Sequence, residues 1–194
     1  MTPSAKATAS KGSHPNAHRG PLEWRMLLNW LAEDGILTPQ DVDTVMQRFA
    51  AGTSAQHPLV RLASLGLKRA DTGTALELEP LTEWLAQRVK LPYLRIDPLK
   101  VDVARVAEVM SITYAERRKA LPVYVGANEI TIATSEPLDV AWVEEILAHT
   151  RKTIQLAVAN PLALHRYRTH FYTLARSLQD SKKKTGEGGA HHIE

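Results

Sequence analysis

The chain has 194 residues, 44% of them hydrophobic and 23% charged, proportions of a globular protein that exclude a disordered or collagen-like chain. It has no cysteine, which excludes disulfides, zinc–thiolate sites and a cysteine nucleophile, and no apolar run nears the ~20 residues that span a bilayer. Its net charge of +3 lies in the two ends: residues 22–172 hold 17 basic against 18 acidic side chains, so no basic stripe of a nucleic-acid binder is in evidence.

Residues 1–20 are rich in Ser, Ala, Gly, Pro and Lys and read as a disordered tail, because they bury too little to offset their ordering entropy. A helical subdomain is expected over 21–90. Trp24, Leu27, Leu28 and Leu31 fall at i, i+3, i+4 and i+7, with Met26 and Trp30 widening the apolar face and Gly35 placed to end the helix. Thr38, Pro39 and Asp41 start a second helix that buries Val42, Val45, Met46 and Phe49 and closes at Gly52. The short connection predicts an antiparallel helical hairpin. A third helix is expected from Pro58 to Leu65, and a fourth from Pro80 with Leu81, Trp84 and Leu85 on one face.

An α+β subdomain is expected over 91–176. Residues 92–96 read as a strand, Asp97-Pro98 as a turn, and 102–110 and 111–119 as helices. Two strands, 122–125 and 129–134, flank Gly126-Ala127-Asn128, a hairpin signal. Pro137 and Asp139 start a helix burying Val143, Ile146 and Leu147. Residues 154–159 form a strand, and Asn160 and Pro161 open a last helix with Leu164, Tyr167, Phe171 and Leu174 on one side. The order β-α-α-β-β-α-β-α predicts an α+β fold with a roughly four-stranded mixed sheet covered by helices. Residues 177–194 read as a flexible linker, with Gly186, Gly188 and Gly189 as linker chemistry.

No catalytic or metal site is expected. The chain contains no GxxxxGK[ST], no GxGxxG and no GxSxG. Its eight histidines read as surface or boundary groups, and His165 and His170 miss the i, i+4 spacing of a metal pair. Glu77, Glu79 and Glu83, like Glu144 and Glu145, read as solvated faces without a partner for acid–base work. Arg117-Arg118-Lys119 reads as a solvated helix end or a contact for an acidic partner.

Several motifs in order carry a family resemblance: Leu91-Pro92-Tyr93, Asp97-Pro98, Leu121-Pro122, Ala133 with Pro137-Leu138-Asp139, and Phe171-Tyr172. Together they resemble the N-terminal domain of type II secretion and type IV pilus assembly ATPases. The resemblance implies a linker into an ATPase domain that this chain lacks, so ATP and magnesium belong to that domain, as does the hexamer. It implies a cytoplasmic protein, held at the inner membrane by docking to the cytoplasmic domain of a platform protein. It also implies, as an alternative, cyclic di-GMP binding through repeats that begin Arg-Leu-Gly and end in Gln. Here Arg25-Met26-Leu27 replaces the first such start and Arg61-Leu62-Ala63 the second, leaving Arg61 and Gln87 as the nucleotide-binding candidates. Three of the four tryptophans lie in the helical subdomain, more indole than a small core encloses easily. Trp24, Met26, Leu27 and Trp30 are therefore the expected partner-binding residues.

Overall fold

The structure, a computed structural model, describes residues 18–188, so the readings for 1–17 and 189–194 lie outside the described residues. Helix α1 (Trp24–Glu33) buries Leu27, Leu28 and Leu31. It ends in a Schellman motif: Gly35, at φ +71°, donates to the Ala32 carbonyl at 3.1 Å and Ile36 to the Leu31 carbonyl at 2.9 Å. Helix α2 (Pro39–Ala50) begins on a capping box in which the Thr38 hydroxyl accepts from Asp41 N–H and the Asp41 carboxylate from Thr38 N–H. Helices α3 (Pro58–Ala63) and α4 (Leu78–Val89) complete this part. Helix α4 starts two residues before Pro80, which sits in the first turn, where its missing N–H has no intrahelical acceptor to lose. Leu27, Leu31, Val45, Leu59, Leu62, Leu81 and Leu85 meet in one core.

The second part runs α5 (Val103–Val109), α6 (Ile112–Arg118), β1 (Ala120–Val125), β2 (Glu129–Thr134), α7 (Val143–Thr150), β3 (Thr153–Val158) and α8 (Pro161–Gly188). Its sheet has three strands in the order β1-β2-β3, the first pair antiparallel and the second parallel. The α+β class is as read from the sequence, but a fourth strand is not made. At 92–96 only Tyr93 bridges to Val158. Pro92 has no N–H to donate, and Asp97 opens a 3-10 turn at Pro98–Lys100 that takes the chain off the edge. Ile130 and Ile132 of β2 pack with Val106, Val109, Trp142 and Phe171 in a second core.

Four details differ from the periodicity reading, the first being Met46, which lies on the solvent side of α2 and is exposed, not buried with Val45 and Phe49. Helix α7 begins at Val143 and not near Pro137, and it is short enough that Ile146 is buried while its neighbour Leu147 is exposed. Leu174 is exposed because it lies off the face of α8 that buries Leu164, Phe171 and Ala175. Helix α8 then continues to Gly188 through residues read as a linker, with every side chain from Arg176 to Gly186 exposed. Extending an anchored helix avoids the nucleation cost, so Leu178, Gln179 and the lysines suffice without packing.

Candidate functional site

The two parts meet along a seam held by hydrogen bonds between residues distant in sequence. The loop after β2 contributes most of them. Glu136 accepts from Leu22 N–H at 2.8 Å, and the Leu138 carbonyl accepts from Gly20 N–H at 3.3 Å. His57, the N-cap of α3, donates from Nε2 to the Ser135 carbonyl at 2.7 Å while its Nδ1 accepts from Leu59 N–H at 3.1 Å. Both ring nitrogens are thus committed to the neutral tautomer, and burial holds the imidazole down at about 4. On the far side Glu79 accepts from the Tyr93 hydroxyl and from Asn160 Nδ2. Glu79 is therefore a bridge between parts and not a member of a solvated face.

A cleft of about 710 Å³ opens along this seam. One wall is helical: Leu22, Trp24, Arg25, His57 and Arg61. The other comes from the α+β part: Lys119, Ser135, Glu136, Leu162, Leu164, His165 and Arg168. Four cationic side chains line it against two carboxylates, Glu23 and Glu136. Burial pushes the Glu136 carboxyl up to about 7, the bond from Leu22 N–H and nearby Lys119 only partly opposing it. Arg168 is 3% exposed, its Nη1 has no hydrogen-bond partner, and its Nη2 lies 3.4 Å from His165 Nδ1. Burial lowers its proton affinity. Lys119 reaches the cleft from the left-handed C-cap of α6, at φ 51°. A volume of this size, with apolar walls and convergent cations, suits a small anionic ligand with an apolar body.

The residues singled out from the sequence are dispersed. Trp24 lines the cleft, stands edge-on to Phe49 at 5.3 Å and lies under the Arg25 guanidinium. Met26 and Trp30 are half-buried one turn apart on α1, with Arg88 above Trp30. Arg88 also bridges Glu33 and Asp34. Leu27 is fully buried and cannot touch a partner, because it points into the core that α1 shares with the other helices. Arg61 lies over the Phe49 ring at 4.0 Å and lines the cleft; Gln87 is exposed on α4 and does not line it. Arg61 and Gln87 are not brought together. Sequence reasoning missed His57, Glu136 and Arg168. His57 had a local signal, a possible N-cap just before Pro58; the other two had none.

Among the described residues no group of three His, Asp or Glu side chains could hold a metal ion, and no helix is long and apolar enough to cross a membrane. Residues 89–178 match the MshEN domain family. The chain is 38% identical over 167 residues to "Type IV pilus assembly ATPase TfpB" of Acinetobacter baylyi, an alignment spanning 84% of this chain and 28% of that relative. Among solved structures, that of MshE with cdg superposes with a TM-score of 0.55 at 22% identity, covering 75% of this chain and 98% of the other, a likeness of fold. The N-terminal domain of XpsE aligns at 17% identity with a TM-score of 0.49, over 79% of this chain and 99% of the other.

Proposed function

Because residues 89–178 match the MshEN domain family and the chain is similar to part of a pilus assembly ATPase, we propose that it docks such a motor to an inner-membrane platform protein and is regulated from the cleft. The observation that carries the reading is the seam. Two cores are joined by polar contacts and by Val158 of β3, which is buried among the helical residues, and a cleft of about 710 Å³ opens along the join, where a ligand would alter the fit of the two parts. Docking through the platform's cytoplasmic domain would keep the protein cytoplasmic and peripheral to the inner membrane. ATP, magnesium and the hexamer belong in this reading to an ATPase domain of the kind that relative is named for.

The docking face is Met26 and Trp30, a half-exposed apolar pair at i, i+4 on α1. Met26→Asp and Trp30→Ala should each weaken capture of the platform's cytoplasmic domain by about tenfold or more, as expected for an interface anchor. Circular dichroism should show both variants folded. Unchanged affinity in both moves the docking face elsewhere. The chain by itself should release no phosphate from Mg-ATP above a buffer blank.

A second reading concerns the regulator. The cations of the cleft and the indole of Trp24 favour cyclic di-GMP as its occupant, the ligand that cdg denotes in the MshE structure. Titration calorimetry with the dinucleotide tests this. Arg61→Ala should reduce affinity and Gln87→Ala should not, since Gln87 lies off the cleft.

A further inference from the structure

We propose that Arg168 anchors a phosphate-type oxyanion in the cleft, so that the primary charge of the site comes from α8 and not from the helical part. The proposal rests on the cleft as a regulatory site, but not on cyclic di-GMP as its occupant.

Three other arginines of the fold have carboxylate partners. Arg88 has Glu33 and Asp34, Arg69 has Asp71, and Arg105 has Asp102 with the Val125 carbonyl. Arg168 is more buried than any of these, yet among the described residues it forms no salt bridge. Its Nη1 has no acceptor at all. A guanidinium does not give up its proton under ordinary conditions, and a buried unpaired charge is strongly unfavourable. In those three a carboxylate in direct contact relieves that penalty; Arg168 has only the Glu116 carboxylate, beyond salt-bridge distance, to oppose its burial, and its side chain lines an open cleft.

The surroundings decide the chemistry of the missing partner. Lys119, Arg25 and Arg61 line the same cleft and add positive charge. Of the two lining carboxylates, Glu136 is committed to Leu22 N–H. An incoming anion therefore meets net positive charge. The planar fork of an arginine matches two oxygens of a phosphate or its ester, which a single-atom ion cannot satisfy. Leu162, exposed in the first turn of α8, offers an apolar surface for whatever carries the phosphate.

The test uses the full chain, inorganic phosphate as the first probe and cyclic di-GMP as the second. Phosphate at millimolar concentration should shift the amide resonances of cleft residues such as Leu22, Ser135 and Leu164. Arg168→Met, which keeps the bulk and removes the unpaired charge, should abolish those shifts and raise the melting temperature of the ligand-free chain. Absence of any response in the unmodified chain, or an undiminished response in the Met variant, overturns the proposal. If the Met variant does not fold, Arg168→Lys keeps the charge without the fork and must weaken phosphate binding about tenfold or more; unchanged affinity there also overturns it. Competition between the dinucleotide and phosphate places both on one anchor. Phosphate binding without any response to the dinucleotide upholds Arg168 and removes the cyclic di-GMP reading.

Discussion

His57 and Glu136 face each other across the seam at 3.6 Å with opposite effects on stability. His57 is held at about 4 against an ordinary 6.5, so below 6.5 the unfolded chain takes up a proton that the folded chain refuses. Its contribution is lost as pH falls from 6.5 toward 4. Glu136 is raised from 4.5 to about 7, so the folded chain keeps a proton that the unfolded chain releases. Its contribution is lost as pH rises from 4.5 through 7. Between 4.5 and 6.5 the two slopes oppose, and the pair should leave stability nearly independent of pH. Glu136→Gln removes one slope. Urea unfolding of that variant should then show stability climbing by about 2–3 kcal/mol across the window; a flat profile would mean that His57 is not buried neutral. A second residue-level expectation concerns Lys90, the α4 C-cap at φ 58°. Lys90→Gly should raise stability by roughly 0.5–1 kcal/mol, because only glycine adopts that conformation without a Cβ clash.

Among the elements, α2 shows how far local chemistry reaches. Its capping box, its proline at N1 and its apolar stripe lie within a dozen residues and need no tertiary contact to be read. Thr38→Ala should cost about 1 kcal/mol in chemical denaturation, since it orphans a first-turn N–H. The same kind of signal marks Asn160, whose side-chain oxygen accepts from Leu162 and Ala163 N–H at the start of α8. Helix α8 shows the opposite case. Its anchored half carries Leu164 and Phe171 into the second core, while the half beyond Arg176 covers nothing. Amide hydrogen exchange should be slow through Phe171 and fast beyond Leu178. Uniform protection to Gly188 would require a partner on that half. Composition read these residues as a linker because it registers burial, which they lack, and not continuation from an anchored turn.

For the molecule as a whole, each part has its own core, and the cleft lies along the seam between them. Leu27→Ala should cost about 2–5 kcal/mol, the range for a fully buried leucine, and should unfold the helical part without reporting on docking. Met26 and Trp30, on the same helix, should cost far less and leave the fold intact. Denaturation midpoints of the three variants side by side separate core from surface on α1. Equal losses in all three would put the whole apolar set of α1 in the core.

Local order was legible in the sequence wherever a signal and its consequence lie a few bonds apart. The Gly35 stop, the Thr38 cap, the hairpin at Gly126 and the apolar face of α1 are of this kind, as is the lack of a P-loop. Even there, periodicity placed Leu27 correctly on an apolar face but could not say which apolar face was already covered. Tertiary structure alone decided that, and it decided the cleft, whose walls come from residues near 22, 57, 119, 136 and 168. Those side chains share no window of sequence. What joins them is burial and hydrogen bonding across the seam, a desolvation that appears only when both cores have formed. Arg168 is the sharpest instance: in sequence one more charge on a helix, in the fold a buried cation whose Nη1 has no acceptor.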